Sequence, residues 1–231
     1  RCSLFYNGEF YDNIFIRIRG GTARTWPKKS YKIEFNEDHE FQLRPGERRV
    51  TEFDWNATYT DKAYVCAVLT SEHQAAAGLP TPEIFHIQLR QNTAFYSVAL
   101  YTENVDKDFL IRTGMDENGA LYKGGPGSTM DTVSSYEKKT RRTENNQDLQ
   151  TFLSGVALTG AALENFLFDN VDVPEVINYM ATMAVTQDID GTDKNHFLHR
   201  DTEGSREWRL LPWDLDLTFG PGMPFTDPIV F

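Results

Sequence analysis

The chain has 231 residues, 40% hydrophobic and 13% aromatic, enough to bury a sizeable core as one domain of two lobes or as two small domains. Its formal net charge of −11 argues against a nucleic-acid backbone as the main partner, because such partners select basic surfaces. No stretch approaches the roughly 18 uninterrupted apolar residues a membrane helix needs, which excludes a membrane span.

In chain order, "FYDNIFIRIRG" alternates, with Ile14, Ile16 and Ile18 on one face and Phe15, Arg17 and Arg19 on the other, and predicts a strand. "GGTARTWP" punctuates it, and "KKSYKIEF" predicts a second strand, antiparallel to the first. The odd face of that strand carries Lys29, Tyr31, Ile33 and Phe35, which puts Lys29 on the apolar side while Lys28 and Lys32 face solvent. After a polar loop, "TDKAYVCAVLTSEHQAAAGLP" predicts a helix, with Asp at its start, apolar Val65, Val68 and Leu69, and Gly78 with Pro80 as the stop. "EIFHIQLR" and "FYSVALYTENV" predict a hairpin around "QNTA", with Glu103 at the far end of its second strand and a short helix "DKDFLIRT" beyond. "GALYKGG" predicts another short strand, and residues 125–147, polar and poor in aliphatics, predict a mobile loop. Helices follow up to Asn170, and then "VDVPEVINYMATMAVTQ", which Asp172 caps and Pro174 opens.

Cys2 and Cys66 make either one disulfide or two free thiols, and two distant thiols build no zinc site. His196 and His199 have no third ligand at metal spacing and read as structural. Asn56-Ala57-Thr58 fits a glycosylation sequon, a pattern of low specificity. No charged stretch followed by an apolar run leads the chain from Arg1, so any targeting segment is expected to have been removed or to lie outside this sequence, and "DPIVF" at its end reads as a truncated boundary.

Chemistry concentrates in the last fifth. Helix "VDVPEVINYMATMAVTQ" runs into "DIDGTDKNHFLHR", where Asp190 and Asn195 stand in Asp-x4-Asn spacing between a helix and a strand. Protein kinases use that spacing for the carboxylate that orients the acceptor hydroxyl and the amide that holds a magnesium ion. "RLLPWDLDLTFG" then delivers Asp214 and Asp216 at the end of an apolar strand, where acids are costly to bury without a cation. On the nucleotide side, Lys29 is the candidate phosphate cation and Glu103 its partner, with "RGGTAR" as a weak phosphate-covering hairpin and Arg19 and Lys123 as further contacts. An equally ordinary reading leaves Lys29 snorkelling at the start of its strand. A metal-dependent glycosyltransferase using Asp214 and Asp216 fails on context, since it needs an alternating βα nucleotide domain ahead of the acids.

Taken in order, "RIRGGTARTWPKKSYKIEF", "LYTENVDKDFL", "GALYKGG", "DIDGTDKNHFLHRD" and "LLPWDLDLTFG" resemble the CotH family, named for a bacterial spore-coat protein and present in fungal surface proteins. The resemblance implies an α+β, two-lobed, atypical protein-kinase-like fold. Its β-rich, nucleotide-binding lobe would occupy 1–124 around one central helix, the mobile loop 125–147, and a helical lobe with the catalytic-loop hairpin 148–231. It implies an atypical secreted or surface protein kinase that moves the γ-phosphate of ATP to Ser or Thr hydroxyls of a protein with Mg, outside the cytoplasm. Asp190 would be the catalytic residue, Asn195 and Asp214 would hold the metal with Asp216 beside them, and Lys29 with Glu103 would orient the phosphates. Fungal members bind host-cell receptors as invasins, so the alternative is an adhesion module with a structural metal site. Where many members carry an Asn-Gly turn between the central strands, this chain has "RQNTAFYSV".

Overall fold

A computed structural model describes residues 1–220, so the expected boundary at "DPIVF" lies outside the described residues. The fold is α+β, and the described residues form two compact units, one from residues 1–62 with 83–104 and the other from 63–82 with 105–220. This division differs from lobes cut at 124. The sheet of the first unit closes only when residues 83–104 return to it, and the predicted central helix belongs to the second unit.

The first unit is a six-stranded antiparallel sheet in the order β1-β2-β3-β4-β6-β5, from β1 (Cys2–Tyr6), β2 (Glu9–Ile18), β3 (Tyr31–Glu34), β4 (Glu52–Asn56), β5 (Ile84–Gln91) and β6 (Ala94–Glu103). Asn7 and Gly8 both take positive φ, the conformation of a tight hairpin turn, and join β1 to β2. Asn13, at φ 51°, sits where the β1–β2 register shifts. The extra residue flips the alternation, so that Tyr11 and Ile14 both point into the core, while Ile18, on the face of Ile14, is exposed at the end of the strand. Tyr11, Ile14, Ile33, Phe35, Phe41, Phe53 and Tyr101 form that core.

β3 is shorter than its sequence predicts. Pro27 and a 3₁₀ turn at Thr22–Thr25 occupy the chain until Ser30, whose carbonyl accepts from Arg19 N, so Lys28 and Lys29 precede the strand and the strand-face argument for Lys29 does not apply. β4 escaped the sequence reading because its even positions are acids. Glu52 pairs with Lys32 at 2.5 Å, and buried Asp54 with Arg19 at 3.0 Å.

In the second unit a four-stranded antiparallel sheet runs β10-β9-β7-β8, from β7 (Ala120–Gly124), β8 (Tyr136–Lys138), β9 (His196–Arg200) and β10 (Trp208–Pro212). The second unit is therefore not simply helical, and the 125–147 segment is not wholly loop: Tyr136 is buried and β8 pairs with β7. One face of the sheet packs Tyr122, Leu198 and Trp208 against Leu149, Phe152 and Leu153 of α3 (Gln147–Val156), with residues of α4 (Gly160–Asn170) alongside. The other face packs Leu121, Phe197 and Leu211 against Phe109 and Leu110 of α2 (Lys107–Arg112), which Asp106 caps through the N–H groups of Asp108 and Phe109. Burial on both faces explains why successive residues of "HFLHR" are buried rather than alternating.

α1 (Cys66–Ala76) and α5 (Val173–Thr186) complete the unit. α5 follows its sequence signals: Asp172 accepts from Glu175 N at 3.1 Å, Pro174 lies in the first turn, and Gln187 closes the helix at φ 53°. α1 does not. It starts at Cys66 rather than at an acidic cap, leaves Leu69 47% exposed, and buries Thr70, Ser71 and Gln74. No helix among the described residues is long and apolar enough to cross a membrane.

Candidate active site

The left-handed turn at Gln187 throws the chain out of α5 into residues 188–195, the loop that leads into β9. Asp188 folds the loop back on itself: its buried Oδ1 accepts from the N–H groups of Asp190 at 3.2 Å and Gly191 at 3.0 Å. A Cβ at Gly191 would come within 2.9 Å of Asp188 Oδ2 and of Met183 Cε, so a side chain there would press on the turn. The turn presents Asp190, itself buried, between two donors. Lys194 Nζ approaches Oδ1 at 2.6 Å, and Asn195 Nδ2 donates to Oδ2 at 2.6 Å. Asn195 takes φ 59°, a left-handed conformation that asparagine tolerates, and this brings the loop into register with β9.

Buried contacts behind the loop hold it in place. Ser128 presents both its N–H, at 2.8 Å, and its hydroxyl, at 3.2 Å, to the carbonyl of Asp193. His196 Nδ1 lies 3.2 Å from the Lys194 carbonyl, and the Tyr136 hydroxyl lies 3.2 Å from both His196 Nε2 and the Ser128 carbonyl. Burial holds His196 below its ordinary pKa, so it stays neutral in this role. His199 is also buried and hydrogen-bonds the Asp116 carbonyl, so both histidines sit in packing and backbone contacts. Cys2 and Cys66 are free thiols.

Asp214 arrives from the other strand of the β9–β10 hairpin, two residues past β10, at φ 62° and exposed, with Asp216 partly buried after it. The acids interact. Burial pushes the Asp188 carboxyl up to about 6, and the charges of Asp190 and Asp214 add to the shift. Lys194 is raised first by its hydrogen bond to Asp190, then by Asp190, Asp193 and Asp214 as charges, so the chain supplies one cation of its own to the cluster. Lys123 of β7 lies 4.9 Å from the Trp213 ring and 5.6 Å from that of Phe197, beside the residue that precedes Asp214.

The remaining candidates lie in the first unit. Lys29 Nζ donates to the Arg24 carbonyl at 2.7 Å, and Glu103 Oε2 accepts from Glu83 N at 3.0 Å, so the structure does not bring Lys29 and Glu103 together as an ion pair. Arg19 is engaged with Asp54 and Asn56. Lys194 and Ser128 escaped the sequence reading: Lys194 shares its heptapeptide with the acids and looks like a solvated charge, and Ser128 falls in the segment expected to be mobile.

The chain matches the family described as CotH kinase protein over residues 16–225, nearly its whole length. It belongs to the CotH family. It is also 25% identical over 221 residues to a Bacillus subtilis (strain 168) protein named inner spore coat protein H, covering 90% of this chain and 59% of that protein. The chain thus spans less than two thirds of the length of that relative. The match encloses every residue assigned to the CotH-type site, from Arg19 to Asp216.

The donor set suits the magnesium that a CotH kinase implies. Asp190, Asp214, Asp216 and Asn195 carry hard oxygens of the kind magnesium takes. Among the described residues no three His, Cys, Asp or Glu side chains converge as a metal cage. A magnesium ion shared with phosphates uses one or two carboxylates and needs no such cage.

Proposed function

We propose that the chain is the catalytic region of an atypical, two-lobed protein kinase that transfers the γ-phosphate of ATP to Ser or Thr hydroxyls of a protein at a cell surface or spore coat. The observation that carries this reading is Asp190, a buried carboxylate bracketed by Lys194 and Asn195 on a loop pinned from behind by Ser128 and His196.

Asp190 accepts a hydrogen bond from the acceptor hydroxyl and aims its oxygen at the phosphorus. Lys194 pairs with Asp190 at 2.6 Å and offsets part of the negative charge around it. Asn195 and Asp214, with Asp216, hold the magnesium, which when bound neutralises charge on the phosphates. Lys123 lies against the Trp213 ring, and the phosphate roles of Lys123, Lys29, Glu103 and Arg19 rest on family membership. The coat location rests on the name of the bacterial relative.

The test is the conservative variant Asp190→Asn. With Asn195 and Asp214 intact it is expected to bind Mg-ATP as wild type does in calorimetry, and to lose labelling of itself or a Ser-rich test protein with radioactive γ-phosphate by about a hundredfold or more. Equal labelling by wild type and variant, or none by wild type with Mg or Mn, overturns the reading.

A further inference from the structure

α1 is built against the usual logic of a packed helix. It buries Thr70, Ser71 and Gln74, and it lies against α5, which turns Thr182 and Thr186 inward and Ile177, Met180 and Val185 outward. Buried hydroxyls cost free energy unless paired, so their partners disclose what they hold. Ser71 donates to the Pro82 carbonyl at 2.7 Å, which ties α1 to its own exit. Thr70 instead meets Thr218 Oγ1 at 2.7 Å, 148 residues further along the chain, and both threonines are fully buried.

Each hydroxyl has one proton, and carbonyls only accept. Thr218 Oγ1 lies 3.1 Å from the Leu215 carbonyl, so the order is Thr70 O–H to Thr218 Oγ1 and Thr218 O–H to Leu215 O. Leu215 separates Asp214 from Asp216. One residue past Thr218, Phe219 N donates at 2.6 Å to the carbonyl of Thr186, the last residue of α5, two positions before Asp188. The turn that presents both acids is thus fastened to α1 through the Thr70–Thr218 hydroxyl pair, with the Cys66 carbonyl of α1 a longer acceptor at 3.4 Å from Thr218 Oγ1, and to the start of the Asp190 loop through one backbone bond. Asp214 is exposed, so its direction is set by this turn and not by packing of its own side chain.

The geometry points to Thr70 as a positioning residue for the divalent-cation site, acting through Thr218 on the Asp214–Asp216 turn; the inference rests on the metal-holding role proposed for that turn. The experiment measures Mn2+ affinity by electron paramagnetic resonance in the presence of a non-hydrolysable ATP analogue, together with amide hydrogen exchange over residues 215–219. Thr70→Val, which keeps shape and removes the hydroxyl, is expected to weaken Mn2+ binding and speed that exchange by about five- to tenfold, the equivalent of one buried hydrogen bond. Thr70→Ser, which restores the donor, is expected to stay within about twofold of wild type in both.

Wild-type Mn2+ affinity and exchange in Thr70→Val overturn the positioning role. A protein that loses Mn2+ on Asp214→Ala but not on Thr70→Val removes this inference alone, whereas a wild type that binds no Mn2+ removes the phosphoryl-transfer reading and the inference with it. If Thr70→Val does not fold, Thr218→Ala takes its place. It breaks the same bond, and unchanged Mn2+ affinity there counts equally against the role.

Discussion

Lys194 answers part of the repulsion that Asp188, Asp190, Asp193 and Asp214 exert on one another, and it does so from inside the same loop. The Asp-x4-Asn spacing was legible because two residue types in fixed order suffice to propose it. Which cation balances the acids was not, because Lys194 adopts its role only once the Asx turn at Asp188 brings it round. A glycine shows how tightly the loop is backed. A Cβ on Gly124 would lie 2.5 Å from Ser128 Oγ and 3.0 Å from His196 Nε2. Gly124→Ala is therefore expected to displace Ser128 from Asp193, costing about 1–3 kcal/mol in urea unfolding and at least about tenfold in transfer rate. Thr93 is the opposite case, a residue whose replacement should help. With Asn92 it takes positive φ in the β5–β6 turn, at 72°, a conformation costly for a β-branched side chain. Thr93→Gly is expected to raise the unfolding free energy by about 1 kcal/mol in the same measurement, with no change in nucleotide binding.

At the level of elements, strands and helices whose burial follows their pattern were readable, and those that invert it were not. α5 announced itself by Asp172, Pro174 and its period. β4 and α1 did not, since β4 spends alternate positions on Glu52 and Asp54 and α1 buries its hydroxyls. α5 also carries a buried acid. Glu175 sits 3.3 Å from Arg209, which Asp172 shares at 3.1 Å, and its Oε1 is buried without a hydrogen bond. Burial outweighs the arginine and pushes the carboxyl from 4.5 up to about 7. Below pH 4.5 both folded and unfolded chains hold this proton and it has no effect on stability. Between 4.5 and 7 only the folded chain holds it, so its contribution falls as pH rises, and above 7 the penalty is complete. Glu175→Gln is therefore expected to match wild type near pH 4.5 and to exceed it by on the order of 2–3 kcal/mol at pH 8, read from denaturant midpoints at each pH. A constant difference between the two proteins across that range would contradict the assignment.

For the molecule as a whole, charge is the property most directly read from composition. A net −11 repels itself, and added salt screens that repulsion. Raising NaCl from 20 to about 300 mM is expected to lift the thermal midpoint by about 2–4 °C in differential scanning calorimetry, the equivalent of roughly 1 kcal/mol for a chain of this size. A falling midpoint would mean that surface ion pairs such as Arg44 with Glu47 and Glu83 dominate instead. The α+β class was legible from the strand and helix patterns, but the division into units was not. Residues 63–82 are neighbours in sequence of the sheet they leave, and no local pattern records that their partners lie beyond residue 104.

That excursion sets an order of events during biosynthesis. A ribosome adding about 5–20 residues per second emits the strands of the first unit well before α5 and Thr218. Thr70 therefore waits 148 residues for its partner, on the order of ten seconds. For most of that interval the nascent α1 has neither the hydroxyl nor the helix it will later contact. A newly made chain passes through a half-assembled stage in which its first sheet is complete and the Asp190 and Asp214 turns have not yet been made.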